Sequence, residues 1–306
     1  MTPVPGEVFY WLFNMSIAAS LAGIAVLLIG KIKRLPRRFV RILWAIPLLR
    51  MWIPFGVGSK YGIMSLISKI TTRTVIVYDG SQTLTMTNSV MAANSYFPIT
   101  YKTNLLSDLF RVSSVIWIIV AVAVIFLLFV LQQITKRELR DAVLLRDNIY
   151  ISDKVTSPAV YGVLRPRIII PDSFRDKDLT MILAHENAHI KGADNFWRIL
   201  AFVTAALHWF NPLSWVFLRS FLMEIELACD ERVLARLSIS ERKDYASMLL
   251  HCVEERNIFA SAFGGAKVRV RIGNILSYRK LSLFSAVAFI LLAAAIAYIL
   301  LTNAPA

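Results

Sequence analysis

From Val115 to Leu131 every residue is aliphatic or aromatic, and that run restricts the fold more than any other feature of the chain. A bilayer's hydrocarbon core takes about 20 apolar residues of helix to cross. No water is available inside it, so the backbone must bond to itself and the segment must be helical. Three segments meet this length: about Val8 to Gly30, about Val112 to Leu131 and about Leu281 to Leu301. A fourth, about Phe39 to Val57, is interrupted by Pro47, Arg50 and Pro54. It is expected to span as well, because a chain that leaves the first helix must return. Arg50 within it is expected to snorkel to the interface or to pair with a backbone carbonyl. Composition agrees, since 57% of the 306 residues are hydrophobic, too many for an ordinary soluble enzyme.

Charge orients these helices. Lys31, Lys33, Arg34, Arg37, Arg38 and Arg41 follow the first apolar segment, and no Lys or Arg precedes it. The positive-inside rule then puts the amino terminus outside and this basic loop in the cytoplasm. Lys136, Arg137 and Arg140 follow the next long segment, and Lys267, Arg269, Arg271, Arg279 and Lys280 precede the last, so the region between is also cytoplasmic. Much of the net charge of +14 is therefore topological and suits anionic lipid; direct nucleic-acid binding is not expected. With no basic stretch ahead of the first apolar run, neither is a cleaved signal peptide. Cys229 and Cys252 both fall in the cytoplasmic region and imply no disulfide framework.

The expected layout is mainly α and polytopic. Residues 1–57 hold two transmembrane helices around a basic loop at 31–41, 58–111 an extracellular loop, and 112–133 the third transmembrane helix. Residues 134–280 form a cytoplasmic α+β domain, and 281–306 the fourth helix with a short outer tail. In the outer loop Ile63, Leu66, Ile67 and Ile70 recur at helical spacing, Thr72 to Tyr78 reads as a strand and Asp79-Gly80 as a turn.

The cytoplasmic region carries the chemistry. His185-Glu186-Asn187-Ala188-His189 is an H-E-x-x-H pentapeptide, and Leu179 to Ala184 before it reads as helix. Residues four apart on a helix share a face, so His185 and His189 can present two imidazoles to one metal ion. Glu186 stands one step round, placed to hold a water without ligating the metal. Zinc hydrolases divide labour in this way. Such a site needs a third protein ligand and leaves a fourth position open. The stretch Glu224 to Glu231 supplies carboxylates on a second helix. Glu226 and Asp230, four apart, can both face the site, Glu226 as zinc ligand and Asp230 as hydrogen-bond partner of a ligating histidine. Spacing leaves Glu224 and Glu231 open as alternatives. Asp194 either orients a ligand or caps the next helix. Cys229 reads as a buried structural cysteine rather than a fourth ligand. His208 and Tyr245 are candidate donors to a developing oxyanion, although His208, beside Trp209, also reads as a satisfied core residue.

Around this centre, Asn148 to Ser152 and Arg167 to Ile170 read as short strands. They offer an edge on which an extended substrate could pair, or they only brace the metal helix. Ile199 to Met223 is strongly apolar and broken at Asn211-Pro212. It is either a membrane-embedded helical hairpin or core helices resting against the bilayer; the second is expected, because a full crossing would separate Glu226 from His185.

Taken together, the H-E-x-x-H, the run His208 to Leu213, the segment Glu226 to Asp230, the stretch Tyr161 to Pro171 and the four-span layout resemble the BlaR/MecR-type antirepressor membrane metalloproteases. The resemblance covers nearly the whole chain. It implies a gluzincin-like zinc domain between the third and fourth spans of a bacterial cell-membrane protein, with His185, His189 and Glu226 as Zn2+ ligands and Glu186 as the base. It further implies cleavage of a cytoplasmic repressor and self-cleavage ahead of the last span, here about 273–282 with Arg279-Lys280. Asn187 stands where the family usually has an apolar residue. The β-lactam sensor domain of the antibiotic sensors has no counterpart after Leu301, so the chain is expected to be truncated or to rely on a partner subunit; a homodimer fits this layout. Two other classes share parts of the pattern. A CaaX-type or housekeeping processing protease shares the H-E-x-x-H and E-x-x-x-D, and a non-catalytic scaffold with a structural zinc would have no use for Glu186.

Overall fold

The computed structural model describes residues 5–32, 35–53, 59–62, 104–175, 178–254, 268–278 and 283–302. Three described helices are long and apolar enough to cross a bilayer, at Val8–Gly30, Leu109–Asp141 and Phe284–Leu301. They belong to α1 (Pro5–Gly30), α4 (Asn104–Glu138) and α10 (Leu283–Leu301). Within the segment expected as the second span, the described residues form two short helices, α2 (Arg37–Leu43) and α3 (Ala45–Trp52), meeting at Trp44. Pro47 lacks the N–H that a continuous helix would direct to Leu43, so the ladder breaks there. Arg50 is buried, 1% exposed, rather than snorkelling outward. The helix, strand and turn expected across 63–80 lie outside the described residues, as do Arg279 and Lys280.

Four strands follow α4: β1 (Val143–Arg146), β2 (Ile149–Ser152), β3 (Ala159–Tyr161) and β4 (Arg167–Pro171). Their order is β1-β2-β4-β3, with β2 and β4 parallel and the other pairs antiparallel. The two strands expected from sequence are thus interior neighbours, and the edges belong to β1 and the short β3, which periodicity could not show. Ile149, Ile168 and Ile170 turn one face of the sheet onto Phe174 and onto Ile182 of α5 (Thr180–Lys191). Each such buried aliphatic side chain contributes about 1.5–3 kcal/mol, and together they fix α5 against the sheet.

Two helices then form a hairpin, α6 (Asp194–Leu207) and α7 (Pro212–Leu234). Its tip does not rest on the outside of the membrane helices but runs in among them. Asn211 Nδ2 donates to Ser16 Oγ at 2.7 Å and to Ser20 Oγ at 2.8 Å, both midway along α1. Phe210 packs on Phe9 and Phe13, and Trp117 of α4 donates to the Leu207 carbonyl at 2.7 Å. The hairpin expected to rest against the bilayer thus has its tip packed beside the middle of α1, a helix of membrane-crossing length. The chain turns back at Asn211, so both ends of the hairpin stay at the same end of α1. That reversal satisfies the requirement that His185 and Glu226 not be separated. The main core lies here, joining Ala22 and Val26 of α1, Val40, Leu43 and Trp44 near the kink, and Phe217, Phe221 and Ile225 of α7. In hydrocarbon such packing is held by shape and hydrogen bonds rather than by water exclusion. Gly23 lets the Phe217 ring lie directly on the α1 backbone.

Two further helices, α8 (Ile239–Glu254) and α9 (Val268–Ser277), close the domain from the side of α5 and α7. Tyr245 of α8 and Ile275 of α9 join Ala188, Cys229 and Val233 in a second core cluster.

Candidate metal centre

Helix α5 starts where the Asp178 carboxylate accepts the Thr180 N–H at 2.9 Å. It carries His185 and His189 on one buried face, with Nε2 atoms 3.2 Å apart. The other nitrogen of each ring has its own partner. His189 Nδ1 lies 2.7 Å from Asp194 Oδ2, an acceptor, so this nitrogen carries the hydrogen. His185 Nδ1 lies 2.8 Å from the Tyr245 hydroxyl, which itself donates to Asp230 Oδ1 at 2.7 Å. Both rings are thereby oriented with Nε2 inward, where Arg271 Nη2 also approaches His185 Nε2 at 3.3 Å; a divalent cation between the two Nε2 atoms would take the place of that contact.

Sequence proximity alone would not bring Asp194 to His189. After Lys191 the chain reverses through Gly192 and Ala193, the latter with φ 49°. An L-residue there is strained by about 1–2 kcal/mol. The reversal places Asp194 at the start of α6 and aims its side chain back at α5. A Cβ on Gly192 would collide with Arg232 and Asp194. Arg41 of α2 pairs with Asp194 at 2.5 Å and donates to the Gly192 carbonyl at 2.8 Å. Arg232 adds a contact to Asp194 at 3.4 Å.

Helix α7 brings the carboxylates. Glu226 Oε1 lies 3.8 Å from His189 Nε2, and its carboxylate also meets Arg198 of α6 at 2.5 Å and Arg271 of α9 at 3.3 Å. Burial alone would raise the Glu226 carboxyl, but His189, Arg198 and Arg271 outweigh it and hold it well below the usual carboxylate range. Burial also pushes the His185 imidazole well down, with His189 and Arg271 adding to the effect. It works the same way on His189, where Glu226 and the Asp194 hydrogen bond more than offset it and raise the imidazole. Glu224 and Glu231, which spacing left open, turn the other way. They pair with Arg37 at 3.1 Å and Arg38 at 3.4 Å, both on α2.

Glu186 lines the same cleft as His185, His189 and Glu226, together with Arg198, Arg271 and, from the β3 side, Ser157 to Val160. The donor set fits a divalent cation: two neutral-capable imidazole nitrogens and one carboxylate oxygen, at separations near those of tetrahedral zinc ligands. Cys229 also stands close, its sulfur 3.6 Å from His185 Nδ1. One ligand atom from each of His185, His189 and Cys229 lies within 4.8 Å of the others, but the His185 nitrogen nearest the sulfur is the one that serves Tyr245. The thiol instead donates to the His185 carbonyl at 3.4 Å.

The expectation of Tyr245 as an oxyanion donor needs correcting, whereas for His208 the core reading holds. Tyr245 stands behind His185, committed to Asp230, and is not on the cleft wall. His208 is buried at the hairpin tip with Nε2 on the Met51 carbonyl at 3.1 Å. Neither faces an oxyanion position. Asp230 reaches His185 through Tyr245 and stands 3.5 Å from its Nδ1. Sequence reasoning missed Arg198 and Arg271. Arg271 counted only as a topological charge, yet it is 5% exposed and bonds Asp230 at 2.6 and 2.8 Å. No local signal separates it from its exposed neighbour Arg269. Arg37, Arg38 and Arg41 were read in the same way and also bind buried carboxylates.

Known sequences show the family. Residues 10–275 match the family model described as BlaR1 peptidase M56, a span that includes both metal helices, the hairpin and most of α9. The chain belongs to the BlaR1 peptidase M56 family. It is thus a member of a metallopeptidase family, and it has membrane-length helices. Methicillin resistance mecR1 proteins of Staphylococcus aureus and Staphylococcus epidermidis are 29% identical over 108 residues, 34% of this chain and 18% of theirs. Regulatory protein BlaR1 of Bacillus licheniformis is 31% identical over 102 residues, 32% of this chain and 17% of its own length. For BlaR1 of S. aureus the figures are 27% over 185 residues, 51% and 32%. The chain therefore covers less than a third of the length of these relatives.

Proposed function

We propose that the protein is an integral-membrane zinc metalloendopeptidase that passes a signal by cutting a cytoplasmic protein, a transcriptional repressor being the substrate class its relatives' regulatory names favour. In this reading residues 134–280 face the cytoplasm, the amino terminus lies outside, and a sensor domain or partner subunit supplies the stimulus. One observation carries the proposal: two imidazole Nε2 atoms 3.2 Å apart with the Glu226 carboxylate beside them, and Glu186 on the wall of the same cleft.

His185, His189 and Glu226 would hold the ion. Bound there, zinc supplies Lewis-acid polarisation and makes water acidic enough to attack near neutral pH. The chain's own groups do the rest. Glu186 takes a proton on a carboxylate oxygen as water adds to the scissile carbonyl carbon, then returns it to the amide nitrogen as the C–N bond breaks. Arg198 and Arg271 are the cleft-lining donors available to the developing negative charge. β3 lies at the edge of its sheet and borders the cleft. An extended substrate would pair there beside Val160. Asn195 Nδ2 already donates to the Val160 and Gly162 carbonyls at 2.9 and 3.0 Å, which limits how far such pairing can run.

The test uses Glu186→Ala and His185→Ala in membranes, with a co-expressed repressor and with bound zinc measured by atomic emission. Glu186→Ala should keep its zinc and lose cleavage by a factor on the order of 10²–10⁴. His185→Ala should lose both. Cleavage that persists in Glu186→Ala rejects its role, and a wild-type protein that never binds zinc rejects the centre.

A further inference from the structure

On the far side of Asp194 from the metal centre lies a second cleft, of about 430 Å³. It is lined by the cations Arg38, Arg41, Lys191 and Arg232 and by the apolar side chains of Ile42, Trp197 and Phe221. Two acids answer these four cations. Asp194 pairs with Arg41 and Arg232, and Glu231 pairs with Arg38, which leaves an excess of two positive charges. Lys191 is exposed, with no ion-pair partner among the described residues.

The cleft's position bears on its ligand. Arg37 donates to the carbonyl of Gly30, the last residue of α1, at 3.0 Å, so α2 begins where that membrane-length helix ends. Beside the cations, α2–α3 exposes Ile42 (63%) and Leu49 (46%), and α6 exposes Phe196 (49%), whose ring meets Trp197 edge-on. A free anion would leave that apolar surface uncovered, and a neutral lipid would leave the cations unanswered. An amphiphile with an anionic head answers both.

We propose that this cleft binds the headgroup of an anionic phospholipid, with the acyl chains lying over the exposed faces of α3 and α6. The phosphodiester sits among Lys191, Arg38, Arg41 and Arg232. Trp197 takes the interfacial position where an indole is at ease between hydrocarbon and headgroups. The site belongs to the membrane-facing side of the molecule and does not depend on the peptidase reading.

The experiment is native mass spectrometry of the full chain extracted from nanodiscs of phosphatidylcholine with or without phosphatidylglycerol, with thermal unfolding measured in parallel. Wild-type protein should retain phosphatidylglycerol in preference to phosphatidylcholine and unfold at higher temperature with it. Lys191→Glu, at an exposed position that tolerates the change, should lower that retention on the order of tenfold. Arg38→Gln should lower it less, and Lys136→Glu on α4, away from the cleft, should leave it unchanged. Equal retention by Lys191→Glu and wild type overturns the site. So does an equal loss in Lys136→Glu, which would mean general surface attraction. Inorganic phosphate stabilising the protein as well as phosphatidylglycerol does would replace the lipid with a free anion and end the proposal.

Discussion

His189 is held in place by a reversal of two residues. Gly192 and Ala193 turn the chain so that Asp194 meets the Nδ1 of the imidazole five positions earlier at 2.7 Å, and Arg41 fixes Asp194 from a distant helix. A ligating histidine without its hydrogen-bond partner keeps its basic nitrogen but loses its orientation. Asp194→Asn should therefore weaken zinc binding about 10–100-fold in chelator competition while the protein still folds. Unchanged affinity would mean that Asp194 merely caps α6. At this scale much was legible. The pentapeptide named both histidines and Glu186, and the four-residue step named Glu226 and Asp230. Tyr245 and Arg271 were not legible in their actual roles, since they reach the site from 60 and 86 residues beyond His185.

The helix α7 shows how one element serves two neighbours. Glu226 and Asp230 face α5 and α9, while Glu224 and Glu231 face α2, whose arginines pair with them. Periodicity gives the two faces but not which neighbour each meets. Burial raises the Glu224 carboxyl from 4.5 to about 7, against the pull of Arg37. A raised carboxyl holds its proton more tightly in the folded protein than in the unfolded chain. Its contribution to stability is full below about pH 4.5 and is lost as pH climbs toward about 7. Denaturant titrations of wild type and Glu224→Gln across that window should differ in slope by roughly 1–3 kcal/mol in total. Parallel pH profiles would assign the slope to other groups.

Over the whole molecule, the hairpin α6–α7 ties the membrane helices to the metal centre. Its tip is anchored on Ser16 and Ser20 by Asn211, whose Oδ1 also accepts the Leu213 N–H at 2.9 Å to cap α7. Asn211→Ala removes the cap and both contacts to α1, so it should destabilise the protein by about 1–3 kcal/mol, read as a lower unfolding temperature in detergent. A stability equal to wild type would show that the tip is held by Phe210 and its aromatic neighbours alone. The sequence by itself determined three membrane-length helices and the helix that carries His185 and His189 on one face, because apolar runs and helical spacing are local and additive. Only the tertiary structure decided that the second apolar segment breaks into two helices, that the hairpin runs in beside α1, and that loop arginines serve buried carboxylates. Those outcomes depend on which surfaces meet across long stretches of chain, and no periodicity along the chain records a neighbour in space.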